Sequence, residues 1–304
     1  MNKDMDLLRQ RPSRNPRDIS AFVLLLLLAS VTLLTTLGVV LSLLEEVLEF
    51  FRRVPLTEFL FAREWTPLFA EPRYGVAPLI TGTLLVTFIA LTVAVPLGLA
   101  LAVYLSELAP HGVRARIMGV LELFEGIPTV VFGYFALLTV TPFLQQFIPG
   151  LQLFNPLSAG IVMGFAIIPY VSNVAADAMQ SVPRAIREAA YALGGRPYEV
   201  ALRVVFPAAI SGIIAAIILA TSRAIGETMI VAIAAGQRPT LTLDPRETIA
   251  TMTSFIVQAA TGDQPAGSTA SLSLFAVGAT LFLMTLGLNI LAQYVVERYR
   301  ERYE

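Results

Sequence analysis

Thirty consecutive residues, Val76–Leu105, contain no Asp, Glu, Lys, Arg or His. Such a run has no place on the surface of a water-soluble domain. It exceeds the roughly 20 residues that a helix needs to cross the hydrocarbon core of a bilayer. Ile19–Leu44 is equally uncharged, and it is too long for the apolar core of a secretory signal peptide, about 7–15 residues. Further apolar runs follow at Ile117–Leu144, Leu157–Ala176, Ala208–Ala235 and Leu272–Val296, the third of the six runs carrying Glu122 and Glu125 and the fifth Arg223 and Glu227. Composition agrees: the chain is 56% hydrophobic and 14% charged, against roughly 45–50% and 25% for soluble domains, with a mean hydropathy of +0.73. The expected fold is an all-α polytopic membrane protein with about six transmembrane helices.

Lys and Arg beside the runs set the orientation. With both termini in the cytoplasm, fourteen of the 21 basic residues fall on cytoplasmic segments. Six lie outside (Arg52, Arg53, Arg63, Arg73, Arg238, Arg246), and Arg223 lies within a run. The expected organisation is then a cytoplasmic segment 1–18, a first helix 19–44 and an extracytoplasmic segment 45–75. A core of five helices follows over 76–296, with a cytoplasmic loop at 177–207 and a tail at 297–304. The aromatic-rich segment 45–75 reads either as an amphipathic helix at the membrane interface, where aromatics collect, or as a partner-docking surface. Ile249, Met252, Phe255, Ile256 and Ala259 have helical spacing and predict a half-buried outer helix over Thr248–Ala260.

Several chemistries are excluded. The chain has no Cys and a single His, His111, so neither a thiolate nucleophile nor a two-His metal site can be built from it. Its one Lys is Lys3, and a phosphate-binding P-loop needs a Lys between a Gly-rich turn and a Ser or Thr. A net charge of −1 and a pI near 6.0 give no basic signal for nucleic acid. The chain itself is expected to be neither an enzyme nor a cofactor carrier. Energy must come from a partner or from an ion gradient.

The loop Asp177–Pro207 breaks the apolar pattern and is long for a helix-to-helix link. Pro183 and Pro197 suit helix starts, Gly194-Gly195 separates them, and Pro207 limits the second helix or kinks its junction with the fifth run. Small residues (Ala185, Ala189, Ala190, Ala192) suit close approach by another subunit. Glu188-Ala189-Ala190, then Gly194, Val204 and Phe206-Pro207, resembles the EAA loop of ABC importer permeases in residue type and spacing. The resemblance implies that Glu188, Ala189, Ala190, Gly194 and Pro207 belong to a coupling loop docking on an ATP-hydrolysing subunit, which would hold the ATP and magnesium.

Arg223 and Glu227 stand four apart and are expected to fall on one helix face. An Arg inside the membrane costs at least about 2.5–3.5 kcal/mol and usually marks a pathway. Its planar donor fork suits an oxyanion, with Glu227 expected to hold it; the alternative is an ion pair that only stitches helices together. Arg223-Ala224-Ile225-Gly226-Glu227-Thr228-Met229 resembles the fifth span of phosphate ABC permeases of the PstC type. The resemblance is shared by Pro96–Leu99, Tyr104–Glu107, Glu125–Gly133 and Leu286–Asn289, and runs from about Gly75 to the C-terminus. It implies an ATP-driven phosphate importer with a PstA-like second permease, an ATP-binding subunit dimer and an extracytoplasmic phosphate-binding protein. Permeases for sulfate or molybdate, and a phosphate-sensing membrane scaffold, are the alternatives.

Other polar residues have blander readings. Glu122 and Glu125 read as interfacial carboxylates capped by the Arg114/Arg116 loop, and Gly126 and Pro128 predict unwound backbone beside them. Asn289 and Gln293 read as interhelical hydrogen-bond partners.

Overall fold

The computed structural model describes residues 16–69, 71–265 and 267–299. The expected terminal segments fall largely on 1–15 and 300–304, outside the described residues. Among the described residues the architecture is helical, with one isolated antiparallel bridge between Trp65 and Tyr74.

Helix α1 (Pro16–Arg53) is unbroken for 38 residues and outruns the expected first span by continuing through Glu45–Arg53. A short α2 (Leu56–Phe61) follows. Then comes α3 (Ala77–Val103), prolonged by a π-helical turn at Tyr104–Leu108. The third run is not one straight helix. It splits into α4 (His111–Gly126), α5 (Thr129–Phe135), a π turn (Ala136–Val140) and α6 (Thr141–Gln145), with an 87° bend at the Ile127-Pro128 step. Both step residues are extended, because a proline drives the residue before it out of the helical region.

Helix α7 (Pro156–Gln180) forms the fourth span. Asn155 caps it by accepting from the Ser158 N–H at 2.7 Å. The loop beyond contains α8 (Arg184–Ala192), α9 (Pro197–Val200), a π turn (Ala201–Val205) and α10 (Phe206–Ala208). Ala209 then turns the chain by 74° into α11 (Ile210–Ile225). The expected fifth span, Ala208–Ala235, is corrected here: Gly226 ends α11, and α12 (Met229–Ala234) is a separate helix. Helices α13 (Met252–Thr261) and α14 (Thr269–Tyr299) complete the bundle. Among the described residues four helices are unbroken and long and apolar enough to span, and the number reaches six if each bent pair, α4–α6 and α9–α11, counts as one span.

Packing is organised in three tiers along the bundle. The middle tier joins α3, α7, α11 and α12 through Val86, Ala90, Met163, Ile167, Ala220 and Ile230. Here α7 approaches α3 closely: a Cβ on Gly164 would lie 2.7 Å from the Ala90 carbonyl oxygen, and one on Gly160 2.7 Å from Ile89. Small residues four apart are the usual device for close helix contact in lipid, where burial of apolar surface supplies little drive between helices. The cytoplasmic tier packs Ala102, Ala175, Met179, Val200, Val205 and Ile213 beneath it.

The outer tier corrects the reading of segment 45–75. Phe50, Phe59, Trp65 and Tyr74 are buried with Met252 and Phe255. Their rings meet edge to face, Phe50–Phe59 at 5.7 Å and Trp65–Phe255 at 5.0 Å, the geometry that aromatic quadrupoles favour. The segment is a folded cap on the outer end of the bundle, and only some of its aromatics, Phe61 and Phe69 among them, are left exposed. Ile249, Met252 and Phe255 are buried as the spacing predicts, although the helix begins at Met252.

Candidate functional site

Arg223 occupies the last turn of α11 and is exposed at the bundle surface. Its guanidinium lies over the ring of Tyr170 on α7, 5.8 Å from the centroid, within the range of a cation–π contact. Among the described residues it has no ion-pair partner. The expected clamp by Glu227 is corrected: α11 ends at Ile225, and among the described residues no ion pair joins Arg223 to Glu227. Glu227 Oε1 instead accepts from the N–H groups of Thr228 and Met229, at 3.1 and 3.2 Å, satisfying orphan donors at the start of α12. The Glu227 carbonyl accepts from Thr253 Oγ1 at 2.7 Å, which pins the break to α13. The segment Gly226–Thr228 is thus non-helical backbone fixed by its neighbours, the setting in which membrane proteins tolerate it.

One turn along α7 from Tyr170, Asn173 Nδ2 donates to Glu125 Oε1 at 3.4 Å. Arg114 and Arg116 form no ion pair with Glu122 or Glu125 among the described residues, so the expected capping is not what holds these carboxylates; both are exposed. Asn289 behaves as expected, accepting from Ser222 Oγ across α11 and α14 at 3.0 Å.

The predicted coupling loop folds as two short helical segments. Pro183 is the residue before α8 rather than its first, whereas Pro197 opens α9. Gly194 has φ +83°, a conformation that a β-carbon disfavours, and it reverses the chain after α8. Glu188 and Ala189 are exposed, Ala190 packs partly into the cytoplasmic tier, and Pro207 lies two residues before the 74° bend. Leu193 at the tip is 91% exposed, an apolar side chain offered outward.

At the opposite end, a cavity of about 500 Å³ opens among Trp65, Phe69, Phe154, Arg238, Thr248 and Phe255. The loop beside it is held by Arg246, whose side chain and backbone N–H bond the Asp244 carboxylate and hold its pKa down at about 2. Burial pushes the Tyr74 phenol up.

Broken helices in a bundle, with an amphipathic helical loop on one side and a folded cap on the other, fit a multi-pass membrane protein. The chain belongs to the family described as binding-protein-dependent transport system inner membrane component, matched over residues 94–301. It is therefore an inner-membrane protein. It is 32% identical to a probable ABC transporter permease protein, YqgH, of Bacillus subtilis, over 98% of this chain and 93% of that one. It is 31% identical to the phosphate transport system permease protein PstC of Mesorhizobium japonicum, covering 80% and 79%, which supports a permease of the PstC type. The fold is shared with a chain of a bacterial alginate ABC transporter crystallised with a pentasaccharide-bound periplasmic protein, at a TM-score of 0.64, 16% identity and coverage of 95% and 99%.

Proposed function

We propose that this chain is the PstC-like half of an ATP-driven importer of inorganic phosphate, with Arg223 as the group that meets the anion in transit. The position of Arg223 carries this reading. A guanidinium at a helix break inside the membrane, steadied by Tyr170 and not neutralised by a carboxylate, keeps its donor fork available for a tetrahedral oxyanion. Glu227 contributes by fixing the backbone of the break.

The partners follow from the same reading. A PstA-like permease faces this chain, an extracytoplasmic phosphate-binding protein loads it, and an ATPase dimer holding ATP and magnesium engages Glu188, Ala189, Ala190 and Gly194. No cofactor is assigned to this chain.

The test is labelled phosphate uptake by the complete complex in liposomes, with unlabelled sulfate and molybdate as competitors. Uptake that requires ATP and is suppressed by phosphate alone is the expected result. Suppression by sulfate or molybdate moves the substrate to another oxyanion. Arg223→Gln is expected to lower uptake at least about tenfold, as loss of a charged hydrogen-bond donor does; unchanged uptake removes Arg223 from the pathway.

A further inference from the structure

Helix α8 has no buried residue. Its apolar contacts with the cytoplasmic tier are made by Ile186 and Ala190, both only partly buried. What fastens it is Arg187. The Arg187 Nε and Nη2 donate to Glu107 Oε2 and Oε1 at 3.2 and 3.1 Å. Nη2 also donates to the Met179 carbonyl at 2.7 Å, and Nη1 donates to the Val182 carbonyl. One guanidinium therefore ties α8 to the π turn ending α3, to Met179 in the last turn of α7 and to Val182 in the loop just beyond it. The pair is largely out of solvent, with side-chain exposures of 17% for Arg187 and 5% for Glu107. Ser106 Oγ adds a contact to Met179 Sδ at 3.3 Å.

The chain joins α8 to α7 through Ser181–Pro183 and to α9 through Leu193–Arg196, but not to α3. Its attachment to α3, eighty residues away, rests on this ion pair and on side-chain packing in the cytoplasmic tier. We propose that Glu107 and Arg187 form the joint through which displacement of α8 reaches α3, so that α3 and α7 move as one body when the ATPase pulls on the loop. Gly98 against Val171 and Gly164 against Ala90 then carry that movement up the interlocked pair. Both residues are positioning residues: neither touches the transported solute. Arg suits the role because its fork reaches a carboxylate bidentately and two carbonyls at once, which the point charge of Lys does not.

The experiment uses the complete complex with Glu107→Gln, Arg187→Lys or Arg187→Gln, each compared with the parent at equal amounts of assembled complex. Solute taken up per ATP hydrolysed is expected to fall by about tenfold, a typical size for a coupling effect between sites, while hydrolysis itself continues. A ratio unchanged within about twofold overturns the joint, including the case in which uptake and hydrolysis fall together, as they would from misfolding alone. A second measurement does not depend on which solute is carried. The chain has no Cys, so spin labels at Tyr104→Cys and Arg184→Cys, both exposed, report the separation of α3 from α8. In the parent that distance is expected to stay constant between nucleotide-free and ATP-bound complexes. In Glu107→Gln it is expected to shift or broaden by roughly one helical turn, ~5 Å. Identical distance changes in parent and variant overturn the proposal, whatever the substrate proves to be.

Discussion

Arg223 and Glu227 illustrate how one glycine changes the meaning of a pair of charges. On a continuous helix the two would neutralise each other four residues apart. Gly226 is the C-cap of α11, and the carboxylate turns back to cap α12. Glu227 thus serves as a hydrogen-bond acceptor for backbone. This separates two variants. Glu227→Gln keeps a carbonyl oxygen that can accept from both N–H groups and is expected to retain most of the uptake. Glu227→Ala leaves both donors unmet and is expected to destabilise the break by ~1 kcal/mol, a typical loss for a helix cap, with uptake falling several-fold. Uptake by the two variants in liposomes, at matched assembly, is the measurement; equal losses would return the role to charge.

At the scale of elements, the α3–α7 pair sets how much strain the bundle tolerates. Gly164→Leu would drive a side chain against the Ala90 carbonyl oxygen and Val93. Backbone cannot yield as a rotamer does, so a loss of about 1–3 kcal/mol or more is expected, seen as reduced thermal stability of the purified permease. A control at Gly119, where nothing lies within 4 Å of an added Cβ, is expected to behave like the parent apart from the small helix-propensity gain. The Gly160 and Gly164 spacing was readable in advance only as small residues in an apolar run. The apolar runs that supply the candidate spans, the split loop around Gly194, the break at Pro128 and the outer helix bearing Phe255 were all legible, because apolar run length, proline and glycine act locally. The end of α11 was less so: Gly226 inside an apolar run reads as tolerated until the Glu227 side chain and Thr253 are seen to hold the break open. Glu107 and Arg187 were both visible as residues, but their union across eighty positions depends on how α3 and α8 pack. The cap formed by residues 50–74 was hidden for the same reason, since aromatic rings suit an interface belt as well as a small core.

For the whole molecule, the distribution of exposed charge says which faces meet lipid. The apolar window of α1 is 0% buried and that of α7 is 61% buried, yet the stretch Ile19–Leu44 of α1 carries no charge, and hydroxyls on it such as those of Ser30 and Thr35 are bonded to their own helix. The face carrying Arg223, Glu122 and Glu125 is also exposed, and an Arg left in hydrocarbon costs at least roughly 2.5–3.5 kcal/mol. That face must therefore be covered by protein or by a water-filled path in the working complex, whereas α1 can remain against lipid. Single cysteines distinguish the two, because the chain supplies no others. Leu27→Cys, at a position 58% exposed on α1, is expected to react with a lipid-soluble thiol reagent both in the isolated permease and in the complete complex. Met229→Cys, at a position 37% exposed beside the break, is expected to react with that reagent only before assembly and with a small water-soluble one afterwards. Continued reaction of Met229→Cys from the lipid phase in the assembled complex would mean that the Arg223 face points outward, and the transport path would then have to be sought on another side of the bundle.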